Sequence, residues 1–176
     1  MKNWLYFLFA WILYMIFHES IHALVASIYG EFNSVVLNWY GPQIIFITPV
    51  AERISDIKWA AISGTSGFST LLAGYILYGF RKRIYHVKSS HIRGILYYLT
   101  IVFLLFDAVN FSLGPFFYGG DTMGISTGLG IAVWKIQLIF GVVLVVNREL
   151  IVAFMKSFGV SSGNILFRPW ISKIHP

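Results

Sequence analysis

His18, Glu19 and His22 are the residues of this chain whose types and spacing point most directly to chemistry. On a helix, positions four apart project from nearly the same face, so His18 and His22 can grip one metal ion together. Glu19 lies about 100° further round, where it can reach a water on that metal without being a ligand itself. Two imidazoles holding zinc while a carboxylate takes a proton from the water is the mechanical content of the H-E-x-x-H pattern. His18-Glu19-Ser20-Ile21-His22 is flanked by apolar sequence, Trp4 to Phe17 before it and Ala23 to Tyr29 after it. Ionisable groups inside such a span are expensive to place in lipid and are functional candidates for that reason. The plainer alternative is a polar cluster satisfied by neighbouring helices without a metal.

A catalytic zinc site needs a third protein ligand, with water in the open position. The chain has no cysteine, so that ligand must be His, Asp or Glu, and disulfides are excluded. Glu31, Glu52 and Asp56 fall in the first segment outside the apolar spans, and Glu149 falls on the far side. Asp107 and Asp121 remain. Asp121 follows Gly119-Gly120, where the backbone can bend to present it, although an aspartate after two glycines is also a common turn. Asp107 lies inside an apolar span, where it would be a ligand or would orient a ligand imidazole from behind.

The elements that must position these groups are membrane helices. The chain is 57% hydrophobic and 11% charged, against about 25% charged residues in soluble domains. Four spans are expected, near Trp4–Tyr29, Ile57–Phe80, Ile92–Phe111 and Leu129–Val146, the last extending as far as Phe158. The expected fold is therefore an α-helical polytopic membrane protein, a single integral-membrane domain over residues 1–176. Met1-Lys2-Asn3-Trp4 opens like a signal sequence, but no small-residue cleavage site follows. Removal would also delete the metal motif, so the first helix is read as retained. Gly30 is a plausible stop for it.

Between the first two spans, Ser34–Trp39 and Gln43–Thr48 are β-branched and aromatic, separated by Tyr40-Gly41-Pro42. This predicts a short β-hairpin with a Gly-Pro turn. Non-helical backbone at membrane depth must be buried in protein or line a wet cavity, a condition that a hairpin beside a metal site meets. An interfacial loop with no catalytic part is the alternative. Ser55-Asp56 reads as a helix start. In the second span, Ser63, Gly67, Thr70 and Gly74 form a small-residue stripe that lets another helix approach. Gly64-Thr65-Ser66-Gly67 could also leave backbone carbonyls open to a ligand. Leu113 to Gly130, with Pro115 and several glycines, reads as irregular chain.

The net charge of +6 does not point to nucleic acid, because the basic residues cluster between spans. Arg81-Lys82-Arg83, Lys88 and Arg93 form the densest loop, whose His86 and His91 are read as solvated. Lys135 is expected to snorkel. The positive-inside rule places that loop and both termini in the cytoplasm, with Lys156, Arg168, Trp170 and Lys173 in an interfacial tail. The hairpin, Asp121 and the metal-bearing half of the first helix would face the other side.

With these residues in place, the chain resembles the site-2 proteases, zinc metalloproteases that work inside the membrane. The resemblance rests on His18-Glu19-Ser20-Ile21-His22-Ala23-Leu24, the strand-forming insert and the small-residue second helix. It rests also on Asp107-Ala108-Val109-Asn110 leading through Pro115 to Gly120-Asp121, similar to the family's Asn…Pro…Asp-Gly segment. Thr122 stands where the family usually has glycine, and the interval from Asn110 to Asp121 is longer. Many members also hold the metal toward the cytoplasm, whereas the loop charges here place it toward the opposite face. The resemblance implies a zinc ion on His18, His22 and Asp121, with Glu19 as general base. It implies hydrolysis of a peptide bond in or beside a transmembrane helix of a protein substrate within the bilayer. Such a substrate must be unwound before attack, and an exposed hairpin edge can hold it by strand addition. Asn110 would then hydrogen-bond the developing oxyanion, although a membrane Asn also commonly bridges helices.

Two other readings compete. A non-catalytic zinc-binding membrane scaffold would have no need of Glu19 as a base. A metal transporter would want ionisable groups strung across the membrane, whereas here they gather near one depth. A di-iron desaturase needs more than the five histidines present.

Overall fold

Four helices long and apolar enough to cross a membrane, with a two-stranded hairpin between the first and second, make up the frame of the molecule. The computed structural model describes residues 3–39 and 41–170. Tyr40 of the expected turn and Lys173 of the expected tail therefore lie outside the described residues. The elements are α1 (Asn3–Ile28), β1 (Phe32–Asn38), β2 (Gly41–Phe46), α2 (Ile57–Gly79), α3 (Arg81–Tyr85), α4 (Ser90–Leu113), α5 (Gly120–Leu129) and α6 (Val133–Ser157). The protein is a multi-pass helical membrane protein, with α1, α2, α4 and α6 as its spans.

The buried positions of α1 are Tyr6, Ala10, Tyr14, His18, His22 and Ala26, a ridge with a period of four residues. Four residues turn an α-helix through about 400°, so such a ridge drifts about 40° per step around the helix. The drift has a consequence for packing. Ala10 and Tyr14 cluster with Val102 and Phe103 of α4, whereas Ala26 packs with Trp59 and Ile62 of α2. His18 and His22 sit where the ridge crosses from one neighbour to the other. The exposed face, including Phe9, Ile12, Ile16 and Leu24, is left for lipid.

Contacts fix the helix directions. Tyr6 meets His91, and Tyr14 meets Asp107, so α1 and α4 run parallel. Gly67 faces Phe111 and Gly74 faces Leu104, so α2 runs antiparallel to α4. Phe111 meets Phe140 and Tyr97 meets Phe154, so α6 is antiparallel to α4 as well. The small-residue stripe of α2 is buried throughout, at Ser63, Gly67, Thr70 and Gly74. A Cβ on Gly74 would lie 3.0 Å from the backbone nitrogen of Leu104. Only glycine lets α4 come so close.

The chain turns where its sequence breaks the helical rules. α1 stops before Gly30, whose φ of 69° needs no Cβ penalty. Asp56 caps α2, its side chain accepting from the Lys58 N–H at 2.9 Å. The hairpin is placed as expected but its turn is earlier. Gly41 and Pro42 belong to β2, paired with Asn38 and Leu37. The Ile44 N–H points away from β1. Backbone direction alternates along a strand, so Pro42 faces the same outward way and forfeits no ladder bond.

The segment expected to be irregular is partly helical. After α4 a 3-10 turn covers Gly114–Phe116, and α5 then runs over Gly120–Leu129. Its glycines are the reason. A Cβ on Gly124 would collide with Ser63, and one on Gly128 with Ala60. Residues of poor intrinsic helix propensity are thus held helical by close packing on α2, an override that local sequence does not reveal. α6 accordingly starts at Val133, not at Leu129. Lys135 sits in its first turn, its ammonium 5.9 Å from the Trp134 ring centroid.

Candidate metal centre

α1 brings His18 and His22 to one end of the bundle, and the bend before α5 brings Asp121 to meet them. Gly120 has φ 54°, a conformation that turns the chain directly into the first turn of α5 and swings Asp121 inward. Nε2 of His18 lies 3.0 Å from Nε2 of His22. The Asp121 carboxylate lies 3.2 Å from each of those nitrogens, Oδ2 against His18 and Oδ1 against His22.

These distances suit a metal. Ligands about 2.0–2.1 Å from a tetrahedral zinc stand about 3.3 Å from one another. Two imidazole nitrogens and a carboxylate, all with acceptor lone pairs, converge on one point, and one ligand atom from each lies within 4.8 Å of the others. Both histidines are buried, at 6% and 5% exposure. Three such groups close together and largely buried, with no cation among them, would be poorly compensated. The cluster can bind a metal ion.

The far nitrogens of the two rings differ in what they meet. The His22 Nδ1–H donates to the Ile62 carbonyl at 2.8 Å, which directs Nε2 toward the cluster. His18 Nδ1 is buried without an aligned hydrogen-bond partner. The nearest acid to it is Asp107, whose Oδ1 stands 3.3 Å away. Asp107 is itself fully buried and receives two hydroxyls, Tyr14 at 3.0 Å on Oδ1 and Thr70 on Oδ2. Of the two acids considered from sequence, Asp121 therefore sits with the ligand nitrogens and Asp107 sits behind His18.

Asn110 donates from Nδ2 to Asp121 Oδ2 at 3.2 Å, and its own carbonyl oxygen accepts from Tyr118 at 2.7 Å. It stands beside the cluster, holding the Asp121 carboxylate.

Glu19 is turned toward the hairpin. Its Oε2 accepts from the Ile44 N–H on the outer edge of β2 at 3.3 Å. The hairpin is anchored at its base by a second set of contacts. Lys58 Nζ donates to Glu31 Oε1 at 2.7 Å, and the Thr48 N–H to Glu31 Oε2 at 3.1 Å. The Lys58 ammonium holds the Glu31 carboxyl below the usual range, while burial lowers the Arg53 guanidinium. Arg53 stacks on Trp59, 4.2 Å from the ring centroid.

Ser66 places its hydroxyl 3.0 Å from His22 Nε2, and Tyr14 and Thr70 complete the shell around Asp107. Sequence reasoning did not single out Ser66 or Tyr14, though Tyr14 stands four residues before His18 on the same ridge. The Gly64–Gly67 stretch does not open, since α2 runs unbroken through it. What α2 offers the site is the Ser66 hydroxyl and the Ile62 carbonyl. His86 and His91 stay apart from the cluster, bonded to the Lys82 carbonyl and to Tyr6. Glu149 pairs with Arg148 on α6.

No family model, no curated protein and no solved structure matches this chain.

Proposed function

We propose that the protein is an intramembrane zinc metalloprotease of the site-2 type, cutting peptide bonds in or near transmembrane segments of membrane proteins. The observation that supports this most is one arrangement. Glu19 lies on the same helix as two converging ligand histidines, and its carboxylate is hydrogen-bonded to the outer edge of β2.

His18, His22 and Asp121 would hold the ion. When bound, zinc supplies Lewis acidity, polarising a carbonyl and making water easier to deprotonate. The chain's own residues do the rest. Glu19 accepts a proton from the attacking water and returns it to the leaving amine. The outer edge of β2 offers backbone groups to an unwound substrate strand, and pairing there would bring that strand alongside Glu19. Asn110, placed at Asp121, is near enough to the cluster to donate to a developing oxyanion in exchange for its present bond. Asp107 keeps His18 in the tautomer that presents Nε2.

The orientation belongs to the same proposal. Arg81, Lys82, Arg83, Lys88, Arg93 and Lys156 gather at the end where α2 finishes and α4 begins. Arg53, Lys58 and Lys135 lie at the end that carries the cluster. The basic end and both termini are cytoplasmic on this count.

The test is metal content and cleavage measured together on detergent-purified protein, with single-span membrane proteins as substrates. The wild type should hold about one zinc per chain and cut. Glu19→Gln should keep the zinc and lose cleavage. A wild type that holds no zinc, or a Glu19→Gln form that cuts as well as wild type, would end this reading. Zinc bound without any cleavage would leave a membrane scaffold, and ion flux in reconstituted vesicles would indicate a transporter.

A further inference from the structure

A cavity of about 720 Å³ lies at the opposite end of the molecule from the histidine–aspartate cluster. Its wall is a single face of α4, with Ser90, Arg93, Gly94, Tyr97, Ile101 and Leu105 recurring at helical spacing. α1 borders this face at Asn3 and Tyr6, α6 borders it from Arg148 to Phe158, and Leu166 and Phe167 close it from below. The size is that of a ligand site and not of a packing defect.

The groove is graded along its length. At the mouth stand Asn3, Ser90 and Arg93, all polar. Further in, Ile101, Leu105, Ile151 and Met155 make it apolar. From Arg93 to Leu105 the α4 face runs roughly 18 Å at 1.5 Å per residue. That compares with about 15 Å for one leaflet of a hydrocarbon core. The two charges that line the groove are not equivalent, and Arg148 belongs to its inner end, since the adjacent Asn147 donates to the Leu104 carbonyl. Arg148 is committed, paired with Glu149, donating to the carbonyls of Ile165, Leu166 and Arg168 and stacked on Trp170. Its work is to hold the floor in place. Arg93 donates one bond, from Nη1 to the Val87 carbonyl at 3.1 Å, and has no carboxylate partner among the described residues.

We propose that this groove is a binding site for an anionic phospholipid, with its phosphate at Arg93 and one acyl chain laid along α4 toward Leu105. A cation at the mouth and an apolar channel that runs down to the paired Arg148 match the two halves of such a lipid, and basic pockets between transmembrane helices are known to hold such head groups. The site is separate from the metal centre and does not depend on what that centre does.

Native mass spectrometry of the purified full-length protein, titrated with phosphatidylglycerol and separately with phosphatidylcholine, tests it. Phosphatidylglycerol should bind more tightly than phosphatidylcholine. Arg93→Gln should weaken it roughly tenfold, the size of one lost charge-assisted contact, and leave phosphatidylcholine unchanged. Leu105→Trp, which fills the inner groove, should weaken both lipids, and Ile101→Trp provides the same test if that variant folds poorly. Inorganic phosphate should not compete at matched concentration. Equal binding of the two lipids would overturn the head-group assignment. Binding unaffected by either tryptophan would overturn the groove, and effective competition by phosphate would make the ligand a free anion.

Discussion

Asp107 Oδ1 stands 3.3 Å from Nδ1 of His18, on the opposite side of the ring from Asp121. One imidazole thus lies between two carboxylates, one beside each nitrogen. On the proposed reading the first orients the ring and the second joins His18 and His22 as a metal ligand. Carboxylate behind a ligand histidine raises its basicity and locks its tautomer.

Removing the charge behind the ring should weaken metal binding without abolishing it. Asp107→Asn is expected to lower zinc affinity by about 10- to 100-fold, read by competition with a chromophoric chelator. Asp121→Ala should remove stoichiometric binding in the same assay. If Asp107→Asn bound zinc as tightly as wild type, the orienting role would be wrong.

Acid should loosen the hairpin through Glu31. Its carboxyl is held below the ordinary value by Lys58, with the Thr48 N–H assisting. A depressed carboxylate stabilises the folded state above its unfolded value and stops doing so as pH falls through its folded one. The protection factors of the Ile47 and Thr48 amides, which donate to the Glu31 carbonyl and carboxylate, should therefore fall below about pH 4 relative to pH 7 once the intrinsic exchange rate at each pH is divided out. Glu31→Gln should remove that acid dependence. Protection factors in the wild type that stay unchanged from pH 7 to 3 would count against it.

The α2–α4 contact should not accept a larger residue. Gly74→Leu places carbon 3.0 Å from Leu104 N and 3.1 Å from Phe103, at a cost of about 1–3 kcal/mol. Gly79→Leu is the control, since a Cβ there meets nothing within 4 Å. Thermal unfolding in detergent should show a lowered midpoint for the first and little change for the second. Equal midpoints would mean that the helices separate freely at this point.

Sidedness can be read with single cysteines, because the chain has none of its own. Lys88→Cys should react with an impermeant maleimide only when the cytoplasmic face is exposed, and Ile54→Cys only from the other face. The reverse pattern would invert the orientation and place the metal cluster toward the cytoplasm.

The sequence by itself determined the spans and the two histidines of the candidate metal site. Runs of apolar residues longer than a bilayer have few alternatives, and residues four apart on one helix are neighbours whatever surrounds them. Asp56 as a cap and Gly30 as a stop were legible for the same reason, being local rules of the backbone. What lay beyond it were relationships across long stretches of chain. Asp121 reaches His18 over more than a hundred residues, and it gets there because Gly124 and Gly128 seat α5 on α2, a fit that depends on Ser63 and Ala60. The choice between Asp107 and Asp121 rested on the same point: both acids come from one stretch of chain, and only the packing of α4 against α1 sets Asp107 behind the imidazole and Asp121 before it. Ser66 joined the site unannounced, since a serine in a small-residue helix looks like packing until a histidine faces it. Local chemistry is written in spacing, whereas the meeting of distant side chains is decided by which helix surfaces fit closely enough to touch.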